Sequence, residues 1–160
     1  MRLTDPVLDD LRRAGSCWFA TADARGRPHM GARDAWATLG AEAVVLADTL
    51  SPATARNLRL NPWAVAGFLD ETGRHGWRIE GPARTLAPGE AGFADAALHL
   101  VATGAARPKR ILHLTPVRVE RIATPEMPLI PDRAAKGLAL IRQAAAQVQG
   151  LPGLRPRGAE

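Results

Sequence analysis

Several side chains that could hold an anion lie around one predicted helix start. Ser51-Pro52 indicates that start, because serine can cap an orphan amide and the fixed φ of proline suits the first helical position. The unpaired amides and aligned peptide dipoles at such a start favour a phosphate group. The hydroxyls of Thr49, Ser51 and Thr54 and the guanidinium of Arg56 would converge there. The pattern predicts a phosphate site, although a merely capping Ser51 and a solvated Arg56 explain the same residues.

Catalysis by acidic, basic or nucleophilic side chains has no recognisable signature in the sequence. Cys17 is the single cysteine, so it allows no intrachain disulfide, and its apolar neighbours indicate a buried residue. There is no nucleophile elbow, phosphate-binding glycine loop or dinucleotide fingerprint, and the four histidines lack metal-ligand spacing: His29, His75, His99 and His113. Chemistry would therefore come from a bound cofactor. No catalytic residue is assigned, and no metal is expected.

Short strands with few helices are the elements that would position these residues. The sequence predicts helices over residues 4–14, 51–61 and 90–103, a hairpin of strands 16–22 and 28–38, and strands over 43–47, 63–69, 76–86 and 110–122. Pro82 places its strand at an edge or at a bulge, and Pro116 marks a bulge where the apolar parity slips. Hairpin-length connections favour an antiparallel sheet closed into a barrel, with the helices outside.

The predicted domain covers residues 1–130. A further helix over residues 131–149 would pack on the same domain, and residues 150–160 form a tail rich in proline, glycine and arginine that is expected to be disordered.

Length and charge limit the class of protein. The 160 residues suffice for one domain. The net charge is +5, but residues 1–104 carry −1 and residues 105–160 carry +6, and 19 of the 21 basic residues are arginines. Without a recognition motif, this distribution leaves nucleic-acid binding a minor alternative, which a steep loss of binding with salt would reveal. No long apolar run and an acidic N-terminus predict a cytoplasmic protein without a membrane partner.

Three stretches carry a resemblance to a known family. They are CWFATADARGRPHM (17–30), AVVLADTLSPATARNLRLNPWAVAGFLD (43–70) and WRIEGPARTL (77–86), with weaker support from PKRILHLTPVRVERI (108–122). Together they resemble the pyridoxamine 5'-phosphate oxidase-like family, the FMN-binding split barrels. The resemblance implies a mainly β fold with peripheral helices, a six-stranded antiparallel Greek-key split β-barrel. It also implies a homodimer with one FMN per subunit at the interface.

The resemblance also assigns cofactor-binding residues by their matching positions: Arg33, Asp48, Thr49, Ser51, Thr54, Arg56, Asn57, Trp77, Arg78, Lys109 and Arg110. Two departures from the family pattern stand out. Family members often carry lysine or arginine where this chain has Ala53 and Thr54, so Arg33 or Arg56 would have to replace a missing charge. The C-terminal segment that shapes the vitamin site is not recognisable, so a vitamin B6 enzyme is not expected.

The leading hypothesis is an FMN-dependent oxidoreductase acting on an unknown small-molecule substrate. The alternative is a non-catalytic split-barrel protein that binds flavin, deazaflavin or haem, with His29 or His113 as candidate haem ligands.

Overall fold

The computed structural model describes residues 1–48 and 51–123, and this part of the chain contains eight strands and three helices. In chain order they are α1 (Asp5–Arg13), β1 (Ser16–Ala22), β2 (Pro28–Arg33), β3 (Trp36–Leu39), β4 (Ala43–Ala47), α2 (Pro52–Leu60), β5 (Trp63–Leu69), β6 (His75–Leu86), α3 (Phe93–Ala102), β7 (Ile111–Leu114) and β8 (Arg118–Ala123). The predicted helix over 131–149 and the tail over 150–160 lie outside the described residues.

The strands form one antiparallel sheet in the order β2-β1-β5-β6-β7-β4-β3, and β8 pairs with β6 away from this path. The two end strands, β2 and β3, are consecutive in the chain and are separated only by Asp34 and Ala35. At these two residues the chain leaves its partner β1 and joins β4. We call this place the split.

Six predicted strands therefore appear as eight segments. The predicted strand 28–38 is interrupted at the split, where it changes partner, and the predicted strand 110–122 is interrupted at residues 115–117 around Pro116. The prediction of a mainly β antiparallel fold with peripheral helices is confirmed. In the described part of the chain, the sheet is not closed into a barrel as expected, because the end strands β2 and β3 do not pair with each other.

The long strand β6 changes partner along its length. Its first half pairs with β8 and its last four residues pair with β7. Pro82 lies between the part that pairs with β8 and the part that pairs with β7. Because β5 pairs with β6 along its other side, the prediction of an edge position for this strand is wrong. The amide of Thr115 donates to the Pro82 carbonyl at 2.9 Å. A side chain at Gly81 would place its Cβ 2.0 Å from the Thr115 carbonyl oxygen, so this close approach requires glycine.

Two apolar clusters support the sheet. One packs α1 against β1, β5 and β6, with Leu11, Phe19 and Phe68 fully buried. The other packs α3 against β4 and β7, with Leu100 and Ile111 at its centre. Within the described residues, no helix is long and apolar enough to cross a membrane.

Candidate functional site

The start of α2 is built as the sequence predicts. Pro52 occupies the first turn, and the Ser51 hydroxyl accepts the amide proton of Thr54 at 3.3 Å. The Thr54 hydroxyl also donates to Ser51 Oγ at 2.8 Å, and Thr54 is fully buried. The helix ends before Pro62, with Asn61 as its C-cap. Two hydroxyls and a helix N-terminus therefore converge in one small volume, as in many anion sites.

Arg33 reaches this volume from the neighbouring strand. It is the last residue of β2, pairs with Cys17 and is only 8% exposed. Its Nη2 donates to Thr54 Oγ1 at 3.2 Å and its Nη1 to the Ala32 carbonyl at 2.9 Å, while its guanidinium lies 5.9 Å from the centre of the Phe19 ring. Within the described part of the chain, no carboxylate pairs with it, and its buried Nε has no acceptor. A buried cation without a counter-charge is therefore aimed at the helix start.

Gly31 provides the space that the Arg33 side chain fills. A Cβ at Gly31 would lie 2.9 Å from Arg33 Nη1, which is closer than real contacts of this kind. The backbone of Gly31 has no conformational need for glycine, since its φ is not in the left-handed region. Glycine at this position therefore leaves room for the guanidinium of Arg33.

Asp48 and Arg110 form a second charged contact beside the helix start. Asp48 is 3% exposed, and its Oδ1 accepts the Ser51 amide proton at 3.2 Å. Its Oδ2 lies 3.0 Å from Nη2 of Arg110, an ion pair whose angles do not make a hydrogen bond. The Asp48 amide donates to the Arg110 carbonyl at 3.0 Å. Because Arg110 balances Asp48, the cluster keeps the positive charge of Arg33.

Two further contacts hold α2 against the sheet. Asn57 Nδ2 donates to the Thr21 hydroxyl at 3.1 Å, and both side chains are buried. His29 Nε2 lies 3.1 Å from Ser51 Oγ, within hydrogen-bond distance. Asn57 is thus a link between helix and sheet, and His29 contacts the helix cap.

Two cavities open at the split. The smaller cavity, about 490 Å³, is lined by the split, the end of β4 and the segment before β7: Asp34, Ala35, Ala47, Asp48 and residues 103–109. The larger cavity, about 750 Å³, lies beside α1, β3 and α3, and its lining includes Leu8, Arg12, Asp34, Trp36, His99 and Thr103. Both volumes are in the range of small-molecule sites.

Sequence similarity supports the relationship that the fold suggests. The family model described as pyridoxamine 5'-phosphate oxidase matches residues 3–123, about three quarters of the chain. The chain belongs to this family. No curated protein matches the sequence significantly.

Solved structures share the fold of this family member at low sequence identity. HupZ of Group A Streptococcus has a TM-score of 0.65 and 20% identity, over 76% of this chain and 95% of its own. An FMN-binding protein from Syntrophomonas wolfei has a TM-score of 0.56 and 16% identity, over 75% and 88%. HutZ, the heme storage protein from Vibrio cholerae, has a TM-score of 0.52 and 17% identity, over 77% and 95%. At these identities the likeness establishes the fold alone.

The structure brings together part of the site predicted for this pyridoxamine 5'-phosphate oxidase family member. The side chains of Arg33, Ser51 and Thr54 are in direct contact; Asp48 joins them through the Ser51 amide and links in turn to Arg110. Lys109 lines the smaller cavity with Asp48. Thr49 lies outside the described residues.

Three predicted residues form no hydrogen bond or ion pair with this cluster in the described part of the chain. Arg56 is exposed on α2. Trp77 donates from Nε1 to an Asp10 carboxylate oxygen of α1 at 2.9 Å, and this bond is the largest cause lowering the Asp10 pKa. Arg78 follows Trp77 in β6 and therefore lies on the other face of the strand, where it forms an ion pair with Glu120. Their assignment to the cofactor stays a prediction.

Sequence reasoning missed Gly31 and the aromatic contact of Arg33 with Phe19. The alternation of buried residues along β1 carried a signal for Phe19, but the space at Gly31 depends on the path of another side chain.

Cys17 is buried as predicted, and burial raises the pKa of its thiol to about 12, which makes it a poor nucleophile. Among residues 1–48 and 51–123, no cluster of metal-ligating side chains is present.

Proposed function

We propose that this family member binds FMN by its phosphate at the start of α2 and acts as a homodimeric, FMN-dependent oxidoreductase on a small molecule. The observation that carries the proposal is the buried guanidinium of Arg33, which contacts only neutral acceptors among the described residues. Burying an unpaired charge is costly, so such groups are normally matched by a counter-charge. A phosphate monoester beside Thr54 would supply it.

The residues at the helix start fit such a group. The N-terminus of α2 carries partial positive charge, and the hydroxyls of Ser51 and Thr54 add neutral hydrogen-bonding groups. The nearby Asp48 carboxylate would repel a phosphate, but it is paired with Arg110 and accepts the Ser51 amide proton. Arg33, which enters from β2, would supply the positive charge that the family resemblance leads one to expect at Ala53 or Thr54.

An exposed apolar face supports the homodimer. The strand register puts Trp18, Met30 and Trp63 on the same face of the β2-β1-β5 part of the sheet. They are 42%, 62% and 43% exposed. Large apolar side chains clustered on one face are typical of an interaction surface. A second copy of the chain would cover them.

When bound, the flavin would supply the hydride or electron chemistry that the side chains lack. The protein would hold the phosphate through Arg33, Ser51 and Thr54, and the contact between Asn57 and Thr21 fixes α2 on the sheet. No side chain is assigned as an acid or a base.

Titration of the purified protein with FMN, followed by flavin absorbance and fluorescence, tests the proposal. We expect saturable binding that Arg33→Met weakens by at least about tenfold, since a charge-assisted contact is lost. Arg59→Met is the matched control, because Arg59 is exposed in the last turn of the same helix and its removal should leave binding unchanged. Absence of FMN binding, or equal effects of both variants, contradicts the proposed site.

The same preparation separates the alternatives. Binding of FMN with no reductase or oxidase turnover would favour a non-catalytic flavin protein, and preference for a deazaflavin would change the cofactor. For haem, His113 is the better candidate ligand, because His29 is already within hydrogen-bond distance of Ser51. A Soret band lost in His113→Ala and kept in His29→Ala would support haem binding.

A further inference from the structure

The two cavities at the split adjoin each other. Asp34, Ala35 and Thr103 line both of them. The smaller cavity reaches Asp48, which contacts the start of α2 through the Ser51 amide. A molecule in the larger cavity would therefore lie next to whatever occupies the smaller one.

The cations of the two cavities differ in availability. Arg107 and Lys109 of the smaller cavity are exposed and form no ion pair within the described residues. In the larger cavity, Arg12 is paired with Asp9 at 2.7 Å, and Nδ1 of His99 lies 3.0 Å from the backbone carbonyl oxygen of Asp95. A phosphate or carboxylate group of a ligand thus finds unpaired cations in the smaller cavity only.

Asp34 lines both cavities, but in the larger one no unpaired cation of the described residues offsets its charge. It is exposed at the split, and its carboxylate has no ion-pair or hydrogen-bond partner in the part of the chain that the structure describes. An unpaired carboxylate attracts an amine or another N–H donor, because hydrogen bonds to a charged group are among the stronger ones.

The wall of the larger cavity suits a flat apolar body. Trp36 is held in place by a hydrogen bond from its Nε1 to the Leu11 carbonyl at 2.9 Å and by edge-to-face contact with Phe68, at 5.8 Å between ring centres. Leu8, Ala37 and Ala102 complete the apolar lining. A fixed indole face stacks on rings and also attracts cations.

We infer that the larger cavity is the substrate pocket and that it selects a ring-bearing apolar molecule with an amine or N–H donor and no phosphate. The donor group binds Asp34, and the ring packs against Trp36 and Leu8. The role as substrate rests on the proposed function, whereas the binding preference rests on the cavity alone. A phosphorylated ring compound, such as the vitamin that gives the family its name, would find no unpaired cation of the described residues in this pocket.

Calorimetric titration with two probes of matched size, 1-naphthylmethylamine and 1-naphthylacetate, tests the preference in protein with and without added FMN. We expect the amine to bind at least about tenfold more tightly than the carboxylate, the value of one charge-assisted contact. Asp34→Asn should remove most of this preference. The control Glu71→Gln removes an exposed carboxylate from the β5–β6 loop and should leave it intact. Ala102→Trp should weaken both probes, because it fills the cavity.

Equal affinity for the two probes, or a preference that survives Asp34→Asn, overturns the inference. If FMN fails to bind while the amine still binds through Asp34, the proposed cofactor is wrong and the pocket's preference stands. If FMN binds and the amine does not, the cofactor site stands and the substrate class is wrong.

Discussion

The guanidinium of Arg33 and the hydroxyl of Thr54 lie 3.2 Å apart, although the residues are 21 positions apart in the chain. This contact joins the end of β2 to the first turn of α2 and places a buried cation beside two hydroxyls. Because the partner is a neutral oxygen, the contact positions the charge without neutralising it. Under the proposed function, the site would therefore be preorganised for an anion before the anion arrives.

Arg33→Met should have opposite effects on the free protein and on the FMN-bound protein. Replacing a buried, unpaired charge by an apolar side chain is often neutral or stabilising, so the free energy of unfolding without FMN should stay the same or rise by about 1–2 kcal/mol. The added stability that saturating FMN gives the wild type should be smaller in the variant by about 1.4 kcal/mol or more, as an affinity at least tenfold weaker requires. Urea unfolding with and without FMN measures both. Loss of stability in the free variant would mean that Arg33 is structural.

Gly31→Ala should weaken anion binding without touching the anion. The new Cβ would lie 2.9 Å from Arg33 Nη1, and the flexible end of that side chain would have to move. We expect FMN affinity to fall about three- to tenfold, as a misplaced charge-assisted hydrogen bond requires, with a nearly unchanged unfolding midpoint. The same substitution in the Arg33→Met protein is the control, since the guanidinium that it would displace is absent there. An equal loss of affinity in both proteins would show that the guanidinium position is unimportant.

Loss of the contact between Asn57 and Thr21 should lower the free energy of unfolding rather than change the activity. Both side chains are buried, so removing one leaves the other unsatisfied, at a cost of about 1–3 kcal/mol. Asn57→Ala and Thr21→Val should each destabilise, and the double variant should cost less than their sum. Chemical denaturation of the four proteins gives the coupling energy. Strict additivity would mean that the two residues act independently.

Acid should destabilise the fold through His113. Burial, followed by the nearby Arg84, lowers the pKa of His113 below its ordinary value of 6.5. The unfolded chain therefore takes up a proton near pH 6.5 while the folded chain does not, and stability falls as the pH falls through this value. Unfolding midpoints at pH 7.5, 6.5 and 5.5 should drop less in His113→Asn than in the wild type. Leu98→Asn, which introduces the same amide at an exposed position, should keep the wild-type slope.

Local signals in the sequence were enough for α2 and for most strands. Ser51-Pro52 starts the helix and Asn61-Pro62 ends it through backbone effects that need no tertiary contact. A run of strand-forming residues located β1, an apolar run located β5, and the alternation of apolar residues located β6, and these signals also lie within a single segment. These elements determine where the hydroxyls of the site lie.

The break at Asp34 and Ala35 could not be predicted, because it arises from a change of strand partner rather than from a turn sequence. The same holds for the burial of Arg33, which depends on the register with β1 and on the space at Gly31. Both features depend on contacts between distant parts of the chain. The cavities depend on them in turn.

The twelve-residue strand β6 joins two parts of the sheet. Up to Pro82 it pairs with β5 and β8, and after Pro82 it pairs with β7. Unfolding of either part would break backbone hydrogen bonds of β6, the strand with which the other part also pairs. The two apolar clusters should consequently unfold together. Amide protons of β5 and β7 would then exchange with solvent through one shared global opening, although they lie on different parts of the sheet.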